Sequence, residues 1–166
     1  YCCICKWHIG VFILSCILFF YTSSSLAQKN NLDVKSQAAL VFNAQNEHVI
    51  YDKNADKVLP IASITKLMTA IVTLDARLSP NEIITIENAD MDKLKYTASR
   101  LPVGSKLSRH ELLKLSLMSS ENRAAAALGR SYPGGTQAFV NAMNTKAKQI
   151  GMFNSRFVDS TGLSSN

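Results

Sequence analysis

The segment from Ser63 to Ala76 reads as a helix with little polar surface to offer to water. Ile64, Leu67, Met68, Ile71 and Val72 fall at i, i+3, i+4, i+7 and i+8, one side of a 3.6-residue period. Ala70 and Leu74 widen that side, so the helix is expected to be largely buried. Such an element cannot stand at a surface; the chain around it must supply cover on more than one side. Upstream, Ala38 to Phe42 and His48 to Tyr51 read as strands around the turn-rich Asn43-Ala44-Gln45-Asn46, an expected hairpin. Downstream, Glu82 to Ile86 reads as a short strand, and Asn88 to Lys106 as irregular with short helical pieces. Ser108-Arg109-His110-Glu111 is a capping box opening an apolar helix through Leu112, Leu113, Leu115, Leu117 and Met118. Ser119 to Asn122 interrupts that helix, and an alanine-rich helix resumes to about Arg130. After the Tyr132-Pro133-Gly134-Gly135 loop, Thr136 is expected to cap a last helix with Phe139, Val140, Met143, Ala147 and Ile150 on its face, closed by Gly151.

The first residues do not belong to this fold. Lys6 precedes an apolar run from Ile9 to Tyr21, and the run ends in Thr22-Ser23-Ser24-Ser25-Leu26-Ala27. A basic start, a short apolar core and a Ser-x-Ala ending describe a secretory signal peptide at residues 1–27, cut between Ala27 and Gln28. The run is shorter than the roughly 18 residues a membrane span needs, so no stable span is expected once the leader is gone. All four cysteines (Cys2, Cys3, Cys5 and Cys16) lie in this leader. The mature chain is therefore left without a disulfide framework, a thiol nucleophile or cysteine-ligated zinc. Its histidines, His48 and His110, are too far apart for a metal motif; no HExxH and no GxSxG occurs. No metal and no cofactor is called for. The formal charge of +6 is scattered rather than striped, which fits an anionic polymer as neighbour and gives no sign of nucleic-acid binding.

Two polar patterns remain within apolar helices. Ser63 and Lys66 are three apart, hence neighbours on one face. Pro60 places Ser63 near the helix start, where unpaired N–H groups favour a forming alkoxide and disfavour a proton on Lys66. If Lys66 is buried among Leu67, Met68 and Ile71, desolvation lowers its pKa further and gives a neutral amine beside a serine hydroxyl. A lone Ser-x-x-Lys is weak, since a chain of this length shows about half of one by chance, and a helix-capping serine with a solvated lysine explains it as well. The second pattern, Ser120-Glu121-Asn122, breaks an apolar helix with polar groups that cost stability unless paired. Alone it is a helix–helix turn; together the two patterns are the first two elements of the penicillin-binding and β-lactamase motif set.

Ile61-Ala62-Ser63-Ile64-Thr65-Lys66-Leu67-Met68-Thr69-Ala70 closely resembles the nucleophile segment of low-molecular-mass penicillin-binding proteins, the D-alanyl-D-alanine peptidases. Leu117 to Ala125 resembles their second motif. Tyr132 to Gly135, Phe139, Ala142 to Asn144, Lys146 to Lys148, Arg156 to Val158 and Ser160 to Leu163 resemble the endopeptidase branch, of the penicillin-binding protein 7 type. The resemblance covers about Ala38 to the last residue. It implies an α/β (α+β) fold of the β-lactamase/transpeptidase-like kind, an antiparallel sheet packed with helices, with residues 28–166 as the N-terminal part of that domain. It also implies a periplasmic enzyme acting on peptidoglycan peptides. Ser63 would be the nucleophile, Lys66 its base and Ser120 a proton relay; Asn122 would bind the substrate amide and orient Lys66. β-Lactam antibiotics would be inhibitors that trap Ser63. The family's third motif, Lys-Thr-Gly, and the strands that complete its sheet are absent, and the chain starts at Tyr1 and stops at Asn166 within a matching region, so an incomplete gene product is expected. The rival readings are a D-alanyl-D-alanine carboxypeptidase, a serine β-lactamase and a non-catalytic wall-binding remnant.

Overall fold

The computed structural model describes residues 33–164; the expected leader lies outside the described residues. The chain divides into two compact units, 1–55 and 56–166. In the first, β1 (Ala39–Phe42) and β2 (Val49–Lys53) form the expected antiparallel hairpin, Ala39 opposite Lys53 and Val41 opposite Tyr51, with an irregularity between Val41 and Phe42. Asn43 Oδ1 accepts from Gln45 N at 2.8 Å and Asn46 Oδ1 from His48 N at 3.1 Å, the side-chain turns for which asparagine is suited.

The second unit is mostly helical. A 3₁₀ turn at Ala62–Ile64 leads into α1 (Thr65–Asp75). Next come β3 (Ile83–Thr85), a 3₁₀ turn at Asn88–Asp90, β4 (Lys106–Ser108), α2 (Arg109–Met118), α3 (Asn122–Arg130) and α4 (Gly135–Gln149). β3 and β4 pair antiparallel, Ile83 opposite Ser108. The three-residue β4 begins at Lys106, the last residue of the stretch expected to be irregular, and is not among the expected strands; so short a strand shows no alternation to read. α1 packs on α2, α3 and α4. Met68 and Val72 of α1 meet Phe139, Met143 and Ala147 of α4 together with Phe157, while Ile84, Ile86, Leu112, Ala124, Ala127 and Leu128 form a second cluster. No helix of the described residues is long and apolar enough to cross a membrane.

The capping box forms as expected: Ser108 accepts from Glu111 N, and the Glu111 carboxylate accepts from Ser108 N at 2.7 Å. Three expectations are corrected. Thr136 is not the cap of α4; Gly134, at φ 87°, holds that position and lets the helix begin at Gly135. Ile150 is half exposed and ends α4 rather than lining its face. In α1 the buried residues are Thr65, Lys66, Met68, Thr69, Ala70, Val72 and Thr73, whereas Ile64, Leu67, Ile71 and Leu74 are exposed. The helix therefore turns the Lys66, Thr69 and Thr73 row toward the rest of the unit together with Met68 and Val72, and leaves Ile64, Leu67, Ile71 and Leu74 outside. The reason lies in the segment beside it. Thr69 Oγ1 donates to Ser160 O at 2.7 Å and Lys66 Nζ to Thr161 O at 2.9 Å, so buried hydroxyl, amine and carbonyl groups satisfy one another.

Candidate active site

Ser63 sits in the middle of the 3₁₀ turn that leads into α1, one step earlier than the first α-helical turn, and it is exposed. Lys66, one turn on, is 2% exposed. Its Nζ donates to Ser63 Oγ at 3.0 Å, within hydrogen-bond range for a nucleophile and its base. The pair is thus an open hydroxyl backed by a buried amine. Burial pushes the Lys66 amine below the ordinary lysine value of 10.5, partly opposed by the charges of Asp159 and Glu121. Of the Leu67, Met68 and Ile71 expected to surround Lys66, only Met68 is buried; the group that meets the amine is instead the segment around Thr161.

That segment is held from several sides. Asn144 of α4 clasps Phe157, accepting from its N at 2.9 Å and donating to its carbonyl at 2.7 Å. Asp159 gathers the N–H groups of Thr161 (2.7 Å), Gly162 (2.5 Å) and Ser164 (2.9 Å), and the Thr161 hydroxyl at 2.9 Å. Burial works against the Asp159 charge, yet these donors outweigh it and hold the carboxyl below the usual range. Gly129 of α3 admits the segment closely, since a Cβ there would lie 3.0 Å from Ser160 Oγ. Gly162, at φ 80°, lies against the nucleophile turn itself: a Cβ would meet Ala62 O at 1.9 Å.

The second motif lies at the α2–α3 junction. Ser120 is exposed at φ 54°, Glu121 caps α3, and Asn122 is the first residue of α3. Glu121 accepts from Arg123 N at 3.2 Å and from Ser99 Oγ at 2.7 Å. Asn122 Nδ2 donates to Thr97 Oγ1 at 2.9 Å, and Asn122 Oδ1 is buried with no partner. The structure thus joins Ser63 to Lys66 directly. It places Ser120 at the junction of two helices that pack against α1 and Asn122 at the start of the second, with neither hydrogen-bonded to that pair. The expected orientation of Lys66 by Asn122 is not what the lysine's bonds show: its acceptors are Ser63 Oγ and Thr161 O. Asp159, Thr161 and Thr97 were not assigned roles from sequence. The signal that was present is local: Asp159-Ser160-Thr161-Gly162 pairs a carboxylate that closes turns with a glycine suited to positive φ.

Beside the nucleophile turn lies a cavity of about 300 Å³, lined among others by Pro60, Ala62, Lys95, Arg156, Asp159 and Gly162.

The chain matches the family described as D-alanyl-D-alanine carboxypeptidase over residues 24–166. It is 51% identical over 132 residues to a D-alanyl-D-alanine endopeptidase of Pseudomonas aeruginosa, covering 80% of this chain and 43% of that protein. It is 49% identical over 132 residues to a D-alanyl-D-alanine endopeptidase of Escherichia coli, with the same two coverages, 80% and 43%. Less than half the length of these relatives is therefore spanned. Among solved structures, the Streptomyces K15 DD-transpeptidase superposes with a TM-score of 0.73 at 28% identity, over 79% of this chain and 54% of that one. Penicillin-binding protein D2 from Listeria monocytogenes, in an ampicillin-bound form, superposes at 0.68 with 34% identity, over 82% of this chain and 55% of that one. The expected fold class is borne out by these likenesses.

Proposed function

The chain belongs to the D-alanyl-D-alanine carboxypeptidase family of serine peptidases, and from that premise we propose that it carries the nucleophile half of a periplasmic D,D-peptidase that cleaves D-alanyl bonds in peptidoglycan peptides. The observation that carries the reading is the Lys66 amine, buried and 3.0 Å from the hydroxyl of an exposed Ser63. Neutral Lys66 takes the proton of Ser63 as Oγ attacks the D-alanyl carbonyl carbon. The Ser63 N–H, at the head of the helical segment, supplies one donor to the oxyanion. The C–N bond then breaks, Ser120 passes a proton to the departing amine, and water hydrolyses the serine ester. Asn122 binds an amide of the substrate. Penicillin, which presents a strained amide to the same serine, acylates Ser63. The leader pattern at residues 1–27 supports export to the periplasm.

Cleavage of cross-links, rather than removal of a terminal D-alanine, is the specificity favoured by the two endopeptidase relatives at 51% and 49% identity, against 27% for a Bacillus subtilis carboxypeptidase. The test is acylation of the full-length protein by a fluorescent penicillin. Lys66→Ala slows labelling of Ser63 by roughly 10²–10⁴, the usual worth of a positioned general base. In the unsubstituted protein the rate rises with pH through a pKa below 10.5, because only the neutral amine accepts the proton. An unchanged rate in Lys66→Ala removes the lysine from the chemistry. Release of monomeric muropeptides from purified cross-linked dimers distinguishes endopeptidase from carboxypeptidase.

A further inference from the structure

We propose that the cavity beside the nucleophile turn is a substrate subsite, in which Lys95 and Arg156 take a carboxylate on the side chain of the residue that precedes the scissile D-alanine. The proposal rests on the reading of Ser63 given above and adds to it a specificity that neither motif carries.

The cavity, of about 300 Å³, is built from three separate stretches of chain: the approach to the nucleophile, the loop that carries Lys95, and the segment from Arg156 onward. Ala62, immediately before Ser63, and Thr65, two residues after it, are both in the wall. A peptide whose D-alanyl carbonyl lies at Ser63 Oγ therefore brings a neighbouring residue to the edge of the cavity, since one residue advances an extended chain by only about 3.5 Å.

The charges in the wall decide what that residue carries. Three charged side chains line the cavity, Lys95, Arg156 and Asp159. Asp159 is occupied: its two oxygens accept from three N–H groups and one hydroxyl of its own turn. Lys95 and Arg156 are the reverse. Both are exposed, and among the described residues neither side chain makes a hydrogen bond or an ion pair. Lysine and arginine side chains have donors and no acceptor. The complement of the pair is an anion, and a guanidinium suits the two oxygens of a carboxylate. Val58 and Val158 add apolar wall for the methylene stem of such a side chain.

The two cations stand on fixed backbone. Lys95 N donates to Asp92 Oδ1 at 2.9 Å, and the same loop is tied to the cap of α3 by Ser99 Oγ to Glu121 Oε1 at 2.7 Å. Arg156 adjoins Phe157, whose N–H and carbonyl are both bonded to Asn144 of α4. Backbone that is already ordered lowers the cost of closing two donors on one ligand.

The test compares two synthetic peptides with the full-length protein. Both offer a D-alanyl bond, in cross-linked or terminal D-alanyl-D-alanine form. They differ only in the side-chain carboxylate of the preceding residue, free in one and amidated in the other. kcat/KM favours the free carboxylate roughly three- to tenfold, between the worth of an exposed ion pair and that of a charged hydrogen bond. The difference lies in KM, because the contact is made away from the reacting atoms, and added salt narrows it. Lys95→Gln and Arg156→Gln each reduce the ratio, and the double variant abolishes the preference. The ratio is taken within each protein, so a general loss of activity does not imitate it. Equal kcat/KM for the two peptides in the unsubstituted protein overturns the proposal. A preference that persists in the double variant also overturns it, since the carboxylate is then read elsewhere. Labelling of Ser63 by penicillin without cleavage of either peptide removes the subsite and leaves the nucleophile standing. If neither labelling nor cleavage occurs, the reading of the preceding subsection fails and this proposal falls with it.

Discussion

Gly162→Ala tests whether the segment after Asp159 is a working wall of the site. Two costs add. At φ 80° an L-residue with a Cβ is strained by roughly 1–2 kcal/mol. The new Cβ would also lie 1.9 Å from Ala62 O, 2.5 Å from Ala62 C and 2.8 Å from Thr65 Oγ1. The first two atoms are backbone and cannot rotate away, so the segment must retreat by about 1.5 Å to reach ordinary contact. Overpacking of that kind costs roughly 1–3 kcal/mol. The total, about 2–5 kcal/mol, corresponds to a fall in melting temperature on the order of 10 °C for a domain of this size.

The same retreat has a chemical effect. Thr161 O is one residue from Gly162 and accepts from Lys66 Nζ at 2.9 Å. Drawn back, it releases the amine, and the bond from Nζ to Ser63 Oγ loses its counterpart. Acylation by a fluorescent penicillin is therefore slowed as well as the fold weakened. Gly104→Ala is the control: its φ of 92° carries the same backbone cost, but no atom lies within 4 Å of the added Cβ. Thermal melts and acylation rates of the two full-length variants separate strain from collision. Equal melting temperatures for the two, with an unchanged labelling rate in Gly162→Ala, would refute the argument that close approach of this segment holds the lysine.

Three other outcomes follow from the same contacts. Asp159 has a depressed pKa, so its contribution to stability is present above its unfolded value, near the ordinary 3.8, and is lost as pH falls through the folded value; Asp159→Asn melts below the unsubstituted protein at pH 6, and the gap closes in melts taken below about pH 3.8. Arg130 makes a two-pronged pair with the 3%-exposed Asp90, Nε to Oδ1 and Nη2 to Oδ2 each at 2.9 Å; Arg130→Met leaves a buried carboxylate unpaired and costs roughly 3–5 kcal/mol by urea titration, with Arg130→Lys a poor substitute because it lacks the fork. Ser120→Ala slows turnover of cross-linked muropeptides while leaving Ser63 in place, so its loss in rate is smaller than that of Ser63→Ala.

Much of this was legible in one dimension. The hairpin, the capping box at Ser108 and the break before α3 depend on residues within a few positions of one another, and those relations survive folding unchanged. The Ser63–Lys66 pair is legible for the same reason: three residues of helix bring the groups together whatever lies around them. The facing of α1 was not legible, and the error is instructive. Counting apolar residues favours burying Ile64, Leu67, Met68, Ile71 and Val72; Met68 and Val72 are buried as expected, but Ile64, Leu67 and Ile71 are exposed and Lys66, Thr69 and Thr73 face inward in their place. A polar row goes inside only when its partners are already there. Two of these partners, Ser160 O and Thr161 O, lie 91 and 95 residues along the chain, and no local pattern announces them.

The burial of Lys66 therefore depends on a long-range contact even though its pairing with Ser63 is a local one. A lysine three residues after a serine on an exposed helix face would remain hydrated and protonated, and the spacing alone would give no chemistry. What would make this pair the acid–base couple proposed above is the backbone around Thr161, where a single carbonyl accepts from the buried Lys66. A carbonyl accepts hydrogen bonds but carries no full negative charge, so it satisfies the amine without stabilising its protonated form as strongly as an ion pair would. The full charge nearby, on Asp159, is directed into the N–H groups of its own turn instead. Placing the carboxylate one step back from the lysine lets burial remain the dominant influence on Lys66, in keeping with the direction in which its pKa moves.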